Sequence, residues 1–83
     1  MTIHVLFFAL LRDRAGTARC DLTLPENATV ADAAEAIGER FPGLLQAVSR
    51  VAYAVNRDYA SPTTSLHDGD ELALIPPVSG GSV

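Results

Sequence analysis

The chain has 83 residues and a formal net charge of -4, from six basic and ten acidic side chains, with 48% apolar residues. That length suits one domain, which at this size hides only roughly 60 to 65% of its unfolded surface, too little to wall a deep substrate pocket alone. The acidic balance offers no basic face for phosphates, which excludes nucleic acid as a natural ligand, and the longest apolar run, Val5 to Leu11, falls far short of the ~20 residues that span a bilayer.

All six basic residues are arginine, so the chain cannot carry isopeptide branches on itself or use a Schiff-base lysine. A single cysteine cannot form an intrachain disulfide, which suits a reducing compartment. Met1 to His4 lacks the basic start of a secretory signal. The expected setting is cytoplasmic.

Ile3 to Leu11 is apolar on both alternating faces apart from His4 and reads as a central strand. Phe7 shares one face with Ile3, Val5 and Ala9, and Phe8 the other with His4, Leu6 and Leu10. Arg12 to Thr17, with Gly16 free to take positive φ, makes a turn into a second strand, Arg19 to Leu24. There Cys20, Leu22 and Leu24 alternate with polar residues. After the breaker Pro25-Glu26-Asn27, Thr29 caps a helix and Asp32 answers it in a capping box. Val30, Ala33, Ala34, Ile37 and Phe41 lie on its apolar side, and Pro42-Gly43 ends it after ~13 residues, or ~20 Å.

Val51 to Val55 reads as a third strand and Asn56-Arg57-Asp58 as a turn; Tyr59 to Leu66 has no regular pattern. Asp68-Gly69-Asp70 turns into Leu72 to Ile75, apolar on both faces and so also central. The two all-apolar strands from opposite ends of the chain are expected side by side, with one helix packed across the sheet. This predicts an α+β roll of the β-grasp, ubiquitin-like kind, with a mixed sheet of four to five strands and one main helix. Residues 1–76 form the domain and 77–83 a flexible tail.

Pro76-Pro77 ends the sheet and favours an extended exit, and from Pro76 to Gly81 the tail reaches on the order of 20 Å. Gly80 and Gly81 lack Cβ atoms and can thread a channel too narrow for other residues. An activatable carboxylate needs such access. Glycine pairs are also common in idle tails.

Other candidates reduce to structure. Cys20 shares the inward phase of Leu22 and Leu24 and reads as a small hydrophobe. Asp68, Asp70 and Glu71 lack calcium-loop spacing, and His4 and His67 stand without a ligand at metal-binding spacing.

The stretch Leu66 to Gly81, LHDGDELALIPPVSGG, closely resembles the end of the molybdopterin synthase small subunit family. Val5 to Gly16 is similar to that family's first strand and turn, and Ala54-Val55-Asn56 to the end of its third strand. The double proline before the glycines is the more specific part, since sulfur carriers of the thiamine pathway usually lack it.

The resemblance implies a sulfur carrier, inert alone, whose terminal glycine an E1-like adenylyltransferase activates at the expense of ATP. A sulfur donor protein then makes a thiocarboxylate, and the tail enters the large synthase subunit, in a heterotetramer, to convert cyclic pyranopterin phosphate to a dithiolene. By position, Gly81 bears the sulfur, and Pro76, Pro77, Val78, Ser79 and Gly80 form the inserted arm. No bound cofactor and no metal are implied. Phe7 would face the helix, leaving Phe8, Ile75 and Tyr59 on the open side as a partner patch. The family pattern stops at the second glycine, so Ser82-Val83 departs from it: either a protease removes them, or this copy is not a competent donor. Rival readings are a carrier for thiamine, an amino acid or tRNA, a ubiquitin-like protein modifier, and a β-grasp binding module with an idle tail.

Overall fold

The computed structural model describes residues 1–76, so Pro77 to Val83 lie outside the described residues. Strand β1, Thr2–Phe7, buries Ile3, Val5 and Phe7 on one side and leaves His4 and Leu6 half-buried on the other. It does not run on to Leu11. The backbone turns at Ala9, and Leu10–Ala15 forms a short helix, α1, closed by Gly16 in the left-handed region. The run VLFFALL satisfies strand and helix alike, and the turn inside it carries no glycine, proline or asparagine to mark it.

Strand β2, Arg19–Thr23, pairs antiparallel with β1, setting Cys20 opposite Val5 and Leu22 opposite Ile3. Cys20 is only half-buried, at the edge of the core. Helix α2, Val30–Arg40, starts on the predicted capping box: Asp32 N donates to Thr29 Oγ1, and Thr29 N donates to Asp32 Oδ2 at 2.9 Å. Such a cap contributes about 1 kcal/mol. Val30, Ala33 and Ile37 are buried against the sheet, while Ala34 and Phe41 are half-buried. Gly38, also buried, faces the segment that follows the helix, where a Cβ would stand 2.9 Å from the tip of Leu45. Two 3-10 turns, Pro42–Leu44 and Ala47–Ser49, lead to strand β3, Ala52–Val55.

A two-residue turn at Asn56-Arg57 joins β3 to strand β4, Asp58–Ala60, a three-residue edge that takes in Asp58, expected in the turn, and the start of the stretch expected to be irregular from Tyr59. The loop after it is strapped to α2 by Val30 N donating to Thr64 O at 3.0 Å and Leu66 N donating to Ala28 O at 2.8 Å. Strand β5, Glu71–Ile75, lies in the middle of the sheet order β2-β1-β5-β3-β4, parallel to β1 and antiparallel to β3. The two all-apolar strands are therefore neighbours, as expected. The Asp68-Gly69 turn fixes their register: Thr2 N donates to Asp68 Oδ1 at 2.7 Å, Gly69 N to Thr2 O at 2.8 Å, and Gly69 has φ 85°. A mixed five-stranded sheet with α2 on one face is the β-grasp roll.

Candidate functional site

With α2 covering one face, the strand pleat assigns residues to the other. Leu6 on β1, Ala73 and Ile75 on β5, Ala52 and Ala54 on β3 and Tyr59 on β4 follow from the register, in which Ala54 sits opposite both Ala73 and Tyr59. Phe8, just past β1, joins them. Leu6, Phe8, Ala54, Tyr59, Ala73 and Ile75 line one depression of about 390 Å³. Phe8 is 47% and Tyr59 80% exposed, so two aromatic side chains rise around a floor of alanines. The chain thus brings Phe8, Ile75 and Tyr59 together on the uncovered side, but Leu10 is not with them. It stands on α1, while Leu11 turns into the core at 4% exposure.

Sequence reading set Leu6 on the face of Phe8 without counting it in the patch, and missed Ala54 and Ala73 as parts of this floor and Arg57 and Glu71 at its margin. Ala54 in AYA and Ala73 in LAL are small residues where a half-buried strand ordinarily carries larger ones, but only the register sets them side by side. Arg57 was absorbed into the turn.

At the far end of the same face the surface is polar. His4 Nδ1 lies 2.8 Å from Asp21 Oδ1 across the β1–β2 pair. Arg40 Nη1 donates to Asp21 O at 2.7 Å. Burial pushes the Cys20 thiol above its ordinary value, and Asp21 adds to this against the opposing pull of Arg40, so the thiol is not poised as a nucleophile. Asp70 ties the hairpin to β5. Its partial burial raises the carboxyl, but hydrogen bonds from Asn56 Nδ2 at 2.9 Å and the His67 backbone N–H at 2.8 Å, with the His67 side chain, outweigh that and hold it below the usual carboxylate range. Among the described residues no group of three His, Cys, Asp or Glu side chains is placed to hold a metal ion, and no helix is long and apolar enough to cross a membrane.

Pro76 follows β5 directly and borders a second depression with Leu10, Leu11, Arg14, Arg50 and Val51. The tail therefore leaves at the end of the central strand, one residue from Ile75 on the open face. Pro77, Val78, Ser79, Gly80 and Gly81, and the departure at Ser82-Val83, lie outside the described residues.

Residues 5–81 match the model of the ThiS family. The molybdopterin synthase sulfur carrier subunit of Drosophila erecta is 39% identical, over 98% of this chain and 92% of that protein. Small archaeal modifier protein 1 of Haloferax volcanii superposes with a TM-score of 0.89 at 31% identity, covering 98% of this chain and all of that one. The Helicobacter pylori complex of subunits 1 and 2 of the molybdopterin-converting factor contains a chain that superposes at 0.70 with 27% identity, over 98% of this chain and 100% of that one. A core built on the β1–β5 pair, a capped α2 and a match running through Gly81 place this chain in the ThiS family.

Proposed function

We propose that the chain is the sulfur-carrier subunit of a molybdopterin synthase. It has no active site of its own and completes one with a larger subunit. The observation that carries this reading is the near full-length likeness to sulfur carrier subunits, including a family match that extends through the glycine pair. The fold supplies the mechanical part: a rigid body, an exit at the end of a central strand, and an uncovered apolar depression beside that exit.

In this reading the Gly81 carboxylate attacks the α-phosphate of ATP in an E1-like partner, and pyrophosphate leaves. Sulfide-level sulfur supplied by a donor protein then attacks the acyl-adenylate carbonyl and AMP leaves, giving a thiocarboxylate. Pro76 to Gly80 carry that group into the large subunit of a heterotetramer, where sulfur passes to cyclic pyranopterin phosphate. The Gly81 carbonyl is in a peptide bond to Ser82, so hydrolysis of that bond comes first. The depression around Phe8, Tyr59 and Ile75 is the docking face for the large subunit. Its aromatic rims and apolar floor have the composition of an interface centre.

Mass spectrometry of the C-terminus recovered from cells tests the reading. Replacement of one terminal oxygen by sulfur is expected; an unmodified end under molybdenum-cofactor synthesis would overturn it. The likeness to small archaeal modifier protein 1 favours one second reading, capture of the same activated glycine by a lysine amine of another protein. A branched lysine peptide in the same experiment would mark it. The absence of lysine from these 83 residues means such a modifier could not build isopeptide chains on itself.

A further inference from the structure

Among the described residues four non-glycine residues hold positive φ: Ala9 at 51°, Asn27 at 68°, Asn56 at 51° and Arg57 at 74°. Asparagine enters this region readily because its short amide bonds to the local backbone; alanine and arginine do so only against a steric penalty. Both of the latter border the open face. Ala9, with ψ -127°, follows Phe8, and Arg57 stands at the margin of the depression that Phe8 lines.

Asn56-Arg57 is the two-residue connection of the β3–β4 hairpin, with both central residues at positive φ. Asparagine followed by glycine is the pair that this turn geometry favours. Asn56 fits and is held further, its Nδ2 donating to Asp70 Oδ1 and its Oδ1 accepting from Glu71 N. At the second position the backbone asks only for glycine. The arginine side chain is therefore carried against local preference, and backbone strain of this kind clusters where a site needs a particular group. Among the described residues the ion pairs are His4–Asp21 and His67–Asp70, and neither involves Arg57.

We propose that Arg57 is a specificity residue of the docking face, pairing with a carboxylate of the large subunit at the margin of the contact centred on Phe8, Tyr59 and Ile75. This rests on the docking face assigned above. The carrier is acidic overall, so long-range attraction selects a partner that is basic overall. A single guanidinium beside an apolar depression adds direction instead. Its planar fork binds a carboxylate through two parallel hydrogen bonds, fixing the rotation of the carrier and hence the line along which the arm leaves.

The test uses the full chain and the large synthase subunit of the same organism, with affinity from calorimetry at low and high salt and a thermal midpoint for each variant. Arg57→Gly is expected to raise the thermal midpoint by about 4 °C, through release of the turn, while weakening binding about 10-fold at low salt. Arg57→Lys should retain part of the affinity, Arg57→Glu should bind more weakly than Arg57→Gly, and the differences should shrink at high salt. Phe8→Ala is the control for the docking face. If Phe8→Ala weakens binding and Arg57→Gly does not, the Arg57 proposal falls and the face stands; if neither weakens it, the face itself is wrong. A lower thermal midpoint for Arg57→Gly would make the side chain structural and would also overturn the proposal.

Discussion

Phe7 and Phe8 are consecutive in sequence yet belong to opposite sides of the sheet: Phe7 is 2% exposed with its ring edge-on to Phe41 at 5.3 Å, whereas Phe8 is 47% exposed. One side chain holds the body together and the other is free for a partner. Phe8→Ala is therefore expected to weaken docking to the large subunit by about 2 kcal/mol, about 30-fold, with little change in thermal midpoint. Phe7→Ala should destabilise the body by about 3 to 5 kcal/mol. Calorimetric titration beside thermal melts separates the two; an unstable Phe8 variant with a stable Phe7 variant would reverse the assignment of faces.

At the tail, chemistry rather than packing sets the expectation. A chain ending at Gly81 should release pyrophosphate with the activating enzyme and ATP, and one carrying Ser82-Val83 should not, since the latter has no glycine carboxylate. Gly81→Ala in the shorter form should abolish molybdopterin formation without moving the thermal midpoint. Equal pyrophosphate release from both forms, with the longer terminus verified intact by mass, would show that the activating enzyme accepts an extended end.

Tyr53 gives an alkaline signature. It is 7% exposed, its hydroxyl donates to Val48 O at 2.6 Å, and burial pushes its pKa up from 10.0 to about 12. Because the folded value is the higher one, the stabilisation is complete below the unfolded pKa and disappears as pH rises towards 12. Tyr53→Phe should cost about 1 kcal/mol at neutral pH by leaving the Val48 carbonyl without its donor, and should flatten the alkaline arm of the stability curve. Parallel curves for the two proteins through that window would refute it.

Asp70 gives the acid counterpart. Its folded pKa lies below 3.8, so its contribution is present above that value and is lost as pH falls through the folded pKa. Asp70→Asn should be less stable than the parent at neutral pH, with the gap closing in acid. An equal gap at neutral pH and well below pH 3.8, measured by denaturant unfolding, would assign the loss to altered hydrogen bonding alone.

The parts of the fold readable in advance were those marked by side-chain chemistry. Thr29 and Asp32 announce the start of α2, Pro42 its end, and the doubly apolar β1 and β5 their central places. Helix α1 was missed because the break at Ala9 is a backbone event in a residue that ordinarily avoids it. Strand β4 was missed because three residues at an edge carry no period. At the candidate site, Phe8, Tyr59 and Ile75 followed once the family resemblance turned Phe7 towards the helix, but the alanine floor did not. Alanine signals nothing until the register of β3 and β5 sets Ala54 against Ala73. Arg57 was hidden for a different reason, since nothing in the letter R marks a positive φ.

The central position of β5 also decides how the body answers force. Strands β1 and β3 hold it from either side, and β1 runs parallel to it, so the start of β1 and the end of β5 lie at opposite ends of one ladder. When a partner grips the arm and tugs at Pro76, the load runs along β5 and is shared by the hydrogen bonds on both flanks. Those bonds must slide and fail together, instead of opening one at a time as in a peeled hairpin. A body held this way resists unravelling under a pull at Pro76, and the central strand serves as the mooring of whatever follows it.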